Sequence, residues 1–224
     1  MKKAILVLSL ALAVASWAQK APLPPAEKTG GKTANIATGS LYPLPPAEKT
    51  GGKPLMEAIA SRQSSRDFNI TGRLSAQEIS NLLWCANGYR NATMRTAPSA
   101  VNAQAIDIYV FMSDGIWLYE PKEHALRSIK KGDFRKSTGQ QPFVSKAALN
   151  LVFVYDKSRW PRPGKNDGRW AQADAAYCSE NVYLYCASAG LKTVVRGMFD
   201  EKALRILLAL TPEQIPVLTQ SVGR

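Results

Sequence analysis

The residues from Pro54 to Arg224 predict an α+β domain, a sheet packed by helices. Strand-like apolar runs are interrupted at unequal intervals by segments of helical period. The strongest of these, Ala171 to Ala189, carries Ala175, Cys178, Val182, Tyr185 and Ala189 at alternating steps of three and four. At 171 residues the segment is long enough for one well-buried core.

In chain order, Pro54 can open a helix through Ser61 with Leu55 and Ile59 on one face. Ser75 and Glu78 form a capping box for a second helix carrying Ile79, Leu82, Leu83 and Ala86, which Gly88 closes. Ile106 to Met112 and Ile116 to Tyr119 flank Ser113-Asp114-Gly115, a hairpin signal. Leu149 to Tyr155 reads as a buried strand. After the long helix and Gly190, Thr193 to Arg196 forms a short strand, Asp200 caps a helix through Leu210, and Val217 to Val222 forms a last strand.

Two short motifs carry chemistry. In Arg62-Gln63-Ser64-Ser65-Arg66, two guanidinium groups and two hydroxyls offer what a phosphate monoester needs: charge-assisted donors with short neutral donors between them. The competing reading of each arginine is a surface ion pair with Asp67 or Glu57. The second motif is Ala97-Pro98-Ser99-Ala100-Val101-Asn102-Ala103-Gln104. No G-x-G-x-x-G or P-loop pattern is present, and the one histidine, His124, sits in a hydrophilic turn. A nicotinamide-binding Rossmann unit, an NTPase, a histidine-dependent triad and a histidine-rich metal site are disfavoured, so chemistry has to come from a cofactor.

Taken with Pro54 to Ile59 and with Leu74 to Gly88, these motifs resemble the FMN-dependent nitroreductase superfamily, most closely its branch near the oxidases of azoline-forming peptide synthetases. The resemblance covers Pro54 to the C-terminus. Two positions depart from the pattern: Gln63 stands where a second arginine is usual, and Val101 where glycine is frequent. The resemblance implies a mostly antiparallel, homodimeric fold with FMN as cofactor. It places Arg62 and Ser64 on the phosphate, Gln63 along the ribityl chain and Arg66 near the pyrimidine edge, where a cation favours the reduced flavin. The loop with Pro98, Ser99, Ala100 and Asn102 is expected beside the flavin of the other subunit. Gly197, in Gly197-Met198-Phe199, is expected at the ring, or else is a turn glycine, and Arg224 is a further phosphate candidate. No residue is assigned a catalytic role of its own.

Residues 1–18 read as a secretory signal: Lys2 and Lys3, an apolar run from Ala4 to Ala15, then Ser16-Trp17-Ala18. The run is shorter than the ~20 residues of a membrane span, so a periplasmic or secreted protein without an integral membrane segment is expected. Residues 19–53 form a linker in which Pro22 to Lys32 recurs as Pro43 to Lys53, a passive extended tail or a polyproline ligand. Of the formal charge of +12, the domain from Pro54 carries +7 (22 basic minus 15 acidic residues), scattered rather than striped, which argues against a nucleic-acid partner. Cys178 and Cys186 are eight residues apart on one helix, ~12 Å by its rise, and cannot pair with each other; any bridge would involve Cys85, the other reading being buried thiols. Ser158 to Gly164, with Trp160 and Trp170, is either a lid over the cofactor or a stiff surface loop.

The resulting expectation is an exported FMN-dependent oxidoreductase moving hydride, in ping-pong fashion, to or from a planar nitroaromatic or quinone-like substrate. Its alternatives are a flavin oxidase or dehydrogenase of a peptide or small molecule, and a non-enzymatic flavin- or peptide-binding module.

Overall fold

The computed structural model describes residues 37–161 and 168–224. The signal segment, the first copy of the repeat and Arg162, Pro163 and Gly164 lie outside the described residues. Seven strands form one sheet: β1 (Leu41–Pro43), β2 (Ile106–Phe111), β3 (Gly115–Glu120), β4 (Ala125–Lys131), β5 (Leu149–Asp156), β6 (Lys192–Arg196) and β7 (Gln214–Gly223). Their order across the sheet is β1-β4-β3-β2-β5-β7-β6, with every pairing antiparallel. The helices are α1 (Leu55–Ser61), α2 (Ala76–Asn87), α3 (Ala171–Ala189) and α4 (Glu201–Leu207). The expected α+β class is what forms.

The alternation of side chains along a strand sorts the core into two layers. Ile106, Ile108 and Val110 of β2, with Leu149, Leu151, Phe153 and Tyr155 of β5, face Leu82, Leu83 and Ala86 of α2 and Ala175, Cys178, Val182 and Cys186 of α3. Tyr109, Phe111, Val152 and Val154 point the other way, onto Leu204 and Leu208 at α4. A strand covered on both faces has no reason to alternate polar and apolar, so β5 is apolar from Leu151 to Val154 and buried throughout, Asn150 included.

Helix limits follow their caps. Ser75 and Glu78 make the capping box of α2 reciprocally, Gly190 closes α3 in the left-handed conformation at φ 68°, and the Asp200 carboxylate accepts the Ala203 N–H at the start of α4. α4 stops at Leu207, short of the expected Leu210, and Ala209 turns to φ 51°. β7 begins at Gln214 and carries Pro216 through a bulge opposite Phe153 and Val154, the kind of irregularity at which a strand tolerates proline. On α1 the expected apolar face is not buried: Leu55, Met56 and Ile59 are exposed, and Ala58 makes the inward contact. The three cysteines are free.

The second copy of the repeat is extended, yet it lies on the domain. Leu41, Tyr42 and Pro43 pair with β4, and Leu44 is buried. The Pro45 carbonyl accepts the Ser80 hydroxyl at 2.6 Å, and the Glu48 N–H donates to Asn81 Oδ1 at 2.8 Å. His124, expected in a solvated turn, is a half-buried clasp instead. Its ring meets Ser80 Oγ at 2.7 Å, the Pro45 carbonyl at 3.1 Å and the Tyr119 hydroxyl at 2.9 Å.

Burial holds the His124 pKa below its ordinary value of 6.5, with Lys49 adding to the effect against the hydrogen bond to Pro45. In the window below 6.5 the unfolded chain therefore binds more protons than the native one, and stability falls as pH drops through it. Thermal melts between about pH 5 and 7 should show this loss for the wild type and a flatter profile for His124→Gln; equal slopes would remove His124 from the acid response.

Candidate functional site

α1 ends where Arg62 turns extended, at φ −61° and ψ 125°. From there the chain runs beside β6, the open edge of the sheet, and the Ser65 N–H donates to the Thr193 carbonyl at 2.9 Å. Tyr183 of α3 stands under this segment. Its hydroxyl accepts the Val195 N–H at 2.9 Å and lies 2.7 Å from Ser64 Oγ, while the Arg62 guanidinium sits 5.2 Å over its ring. With one lone pair of the phenol occupied by Val195, the phenolic proton can go to Ser64 Oγ, which leaves the serine hydroxyl free to donate outward.

The electrostatics favour an anion. The surface ion pairs open to Arg62 and Arg66 on sequence do not form: Asp67 pairs with Lys192 at 3.3 Å, and neither arginine meets a carboxylate among the described residues. Gln63 and Ser65 line a cleft of about 290 Å³ together with Lys53, Ser61, Tyr183 and Lys192. Ligand pockets usually measure ~300–1,000 Å³, so the cleft lies at the small end of that range, and Arg62, Ser64 and Arg66 are not among the residues that line it.

The second motif lies elsewhere on α3. The Ala100 N–H donates to Asp174 Oδ1 at 3.1 Å, and Ser99 Oγ accepts the Gln104 N–H at 2.8 Å. Pro98 is exposed, and the exposed Asn102 bonds to Gln104. Val101, Asn102 and Gln104 have φ of 49°, 52° and 52°. Three left-handed non-glycine residues within four positions are a local concentration of strain of the sort found at functional loops. Asp174 is buried with Oδ2 unpartnered, and desolvation raises its pKa. Nine helical residues separate Asp174 from Tyr183, about 13 Å of rise and half a turn of phase. One chain therefore does not bring its two motifs together.

Gly197 follows β6 in the open, with nothing within 4 Å of where a Cβ would lie, so neither a close approach nor a left-handed backbone requires glycine there. The side chain of Arg224 is engaged at α2: it pairs with Glu78, and its Nε donates to the Arg73 carbonyl at 3.2 Å. Arg159, at the start of the candidate lid, is pinned to Asp107 at 2.6 Å, and Trp170 is exposed.

Arg196 was not singled out from sequence. It is buried beside Gly197, donating to the Thr138 carbonyl at 2.7 Å and to Asn150 Oδ1 at 3.1 Å with no carboxylate partner among the described residues; desolvation takes its pKa down to about 10. A lone basic residue ending a short strand gives no sequence signal of burial.

Beside the edge strand stand guanidinium groups without a carboxylate partner among the described residues and a serine tethered to Tyr183. The chain belongs to the nitroreductase family, which it matches over residues 59–224, and is thus an oxidoreductase. A Methanocaldococcus jannaschii protein named as a nitroreductase is 27% identical over 182 residues, 76% of this chain and 90% of that one. A Ralstonia eutropha protein described as a nitroreductase superposes with a TM-score of 0.76 at 38% identity, covering 82% of this chain and 89% of that chain. A Staphylococcus epidermidis structure described as an NAD(P)H:FMN oxidoreductase shares the fold, with a TM-score of 0.59 at 18% identity over 80% of this chain and 91% of that chain.

The positive φ of Val101 makes valine costly at that position, since a β-branched residue pays ~1–2 kcal/mol in the left-handed region and glycine pays none. Glycine's greater freedom in the unfolded chain offsets ~0.5–1 kcal/mol of that gain. Val101→Gly is therefore expected to leave the melting temperature level or raise it by about 2–4 °C. Calorimetry of the cofactor-free protein checks this, and a marked drop would mean that the valine side chain is itself a needed contact.

Proposed function

We propose that the protein is an exported, FMN-dependent oxidoreductase acting as a homodimer on planar organic substrates such as nitroaromatics or quinones. The observation that carries the reading is the pair Arg62 and Arg66, neither held by a carboxylate, on either side of a Ser64 tethered to Tyr183. Family membership supports a flavin, and the neighbour described as an NAD(P)H:FMN oxidoreductase supports FMN in particular. Export rests on residues 1–18 alone.

When bound, FMN supplies the two-electron transfer. The chain's own residues do the rest. Arg62 and Ser64 take the phosphate as charge-assisted and neutral donors, and the ring of Tyr183 fixes the guanidinium so that little order is lost on binding. Arg66, exposed and unpaired, supplies positive charge toward the cofactor's pyrimidine side, where negative charge grows on reduction. The exposed apolar residues Leu55, Met56 and Ile59 of α1, with Val101 and Tyr177, favour a second copy as the missing wall.

The purified protein should take up FMN in preference to FAD; a folded protein that fails to bind FMN in titration overturns the reading. Arg62→Ala is expected to weaken FMN binding the more, by roughly ten- to a hundredfold for the loss of ~1.5–3 kcal/mol. Arg66→Ala should instead lower the midpoint potential by tens of millivolts, at about 30 mV per 1.4 kcal/mol for two electrons. If both variants match the wild type in affinity and potential, these arginines are merely solvated surface.

If the Pro98 to Asn102 loop completes the site of a partner, FMN binds only the dimer and must stabilise it by mass action. Sedimentation at low protein concentration should then find FMN shifting the population from monomer to dimer. A monomer saturated with FMN would withdraw the roles given to Pro98, Ser99, Ala100 and Asn102.

A further inference from the structure

The second copy of the repeat is tied to the domain along its length. Besides the bonds from Ser80 and Asn81, Gln77 Nε2 donates to the Pro46 carbonyl at 2.9 Å, Asn81 Nδ2 donates to Glu48 Oε2 at 3.1 Å, and the Lys49 ammonium lies 5.5 Å over the Trp84 ring. The chain then leaves α2 and crosses to the C-terminal end of α3 on two glycines, Gly51 at φ 92° and Gly52 at φ 79°. A Cβ on Gly52 would run into Ser188 Oγ. Glycine is required there for the next bond, in which the Lys53 N–H donates to that same Ser188 Oγ at 2.8 Å.

The turn delivers Lys53 to the cleft that Gln63 and Ser65 line. Its ammonium lies 3.5 Å from Ser61 Oγ, the residue before Arg62, and among the described residues it pairs with no carboxylate. The other lysine on the cleft, Lys192, is neutralised by Asp67. Arg224, the late basic residue considered for the phosphate, is neutralised by Glu78. Lys53 thus reaches the residue next to Arg62 in the chain, and among the described residues neither cation is paired with a carboxylate.

We propose that the second repeat copy is a cofactor-binding strap whose Gly51-Gly52-Lys53 turn supplies a further cation to the phosphate monoester of FMN, an inference that rests on the FMN reading above. It makes the Pro-rich segment part of the site, with strap docking and phosphate binding coupled. A lysine suits this place because its ammonium acts as a mobile point charge beside the fixed fork of Arg62.

The test is a fluorescence titration of the exported form with FMN and, separately, with riboflavin, which lacks the phosphate. Lys53→Gln is expected to weaken FMN binding about tenfold, to flatten its salt dependence and to leave riboflavin binding unchanged. Lys53→Arg should retain most of the FMN affinity, and Gly52→Ala should lose part of it by displacing Lys53. Proteolysis within Pro43 to Lys53 should slow when FMN is added to the wild type. Full FMN affinity in Lys53→Gln overturns the inference while leaving FMN binding intact, and so does equal weakening toward both ligands, which would assign Lys53 to the scaffold. A wild type that binds no FMN overturns this inference and the functional reading together.

Discussion

The hydroxyl of Tyr183 is the joint on which the site depends. β6 is an edge strand, and an edge presents backbone groups that must find partners or stay in water. Here the Val195 N–H goes to the phenol and the Thr193 carbonyl goes to the Ser65 N–H. The edge is thereby closed by a non-strand segment, which is held near β6 without joining the sheet. Because the phenol also meets Ser64 and its ring lies beneath Arg62, one side chain of α3 satisfies the sheet edge, orients the serine and stacks the guanidinium. Phenylalanine at this position would keep the ring and the stacking. It would leave the Val195 N–H without its acceptor and Ser64 without its tether.

Behind that edge is a polar core that holds a cation with no carboxylate partner among the described residues. Arg196 donates to the Thr138 carbonyl and to Asn150 Oδ1, and Asn150 Oδ1 accepts the Ser221 hydroxyl as well. The side chain remains charged at neutral pH even with its pKa down at about 10, so its burial is compensated by carbonyl dipoles rather than by a carboxylate. Such a network is satisfied only in one geometry. It fastens the end of β6, the loop containing Thr138 and the middle of the sheet to one another, and so fixes where the chain emerges at Gly197. Arg196 Nε is left without a partner, which adds to the cost of burying the guanidinium.

Sequence legibility divides along physical lines. The capping box at Ser75 and Glu78, the three-four periodicity of α3 and the Asp114-Gly115 hairpin are local signals, and they fold as read. β4 was not anticipated because Arg127, Lys130 and Lys131 obscure its pattern, and β1 because three residues ending in proline make no strand by themselves; both exist through tertiary pairing. His124 and Arg196 were missed for a related reason, since each is buried by partners distant in sequence, Ser80 and Pro45 for one, Thr138 and Asn150 for the other. α1 misled in the opposite sense: its apolar stripe is real, and it faces outward. Of the site, the chemistry of Arg62, Ser64 and Arg66 was legible as an anion preference, whereas the ring that organises them was not, because a tyrosine on an amphipathic helix looks like core.

The separation of the two motifs on α3 argues for how the site is completed. Ser64 reaches the helix at Tyr183 and Ala100 reaches it at Asp174, half a turn of phase and about 13 Å of rise away. A loop strained at Val101, Asn102 and Gln104 is maintained by Ser99, Asp174 and the Asn102–Gln104 bond, all within its own chain. It is therefore preformed, yet it lies away from the Ser64–Tyr183 contact of its own chain. Preforming a loop costs stability, which the surrounding structure offsets and which a ligand or partner can add to. In the proposed dimer that addition comes from the neighbour's site, so each chain would carry one finished phosphate end and one finished loop, and neither would be of use without its counterpart.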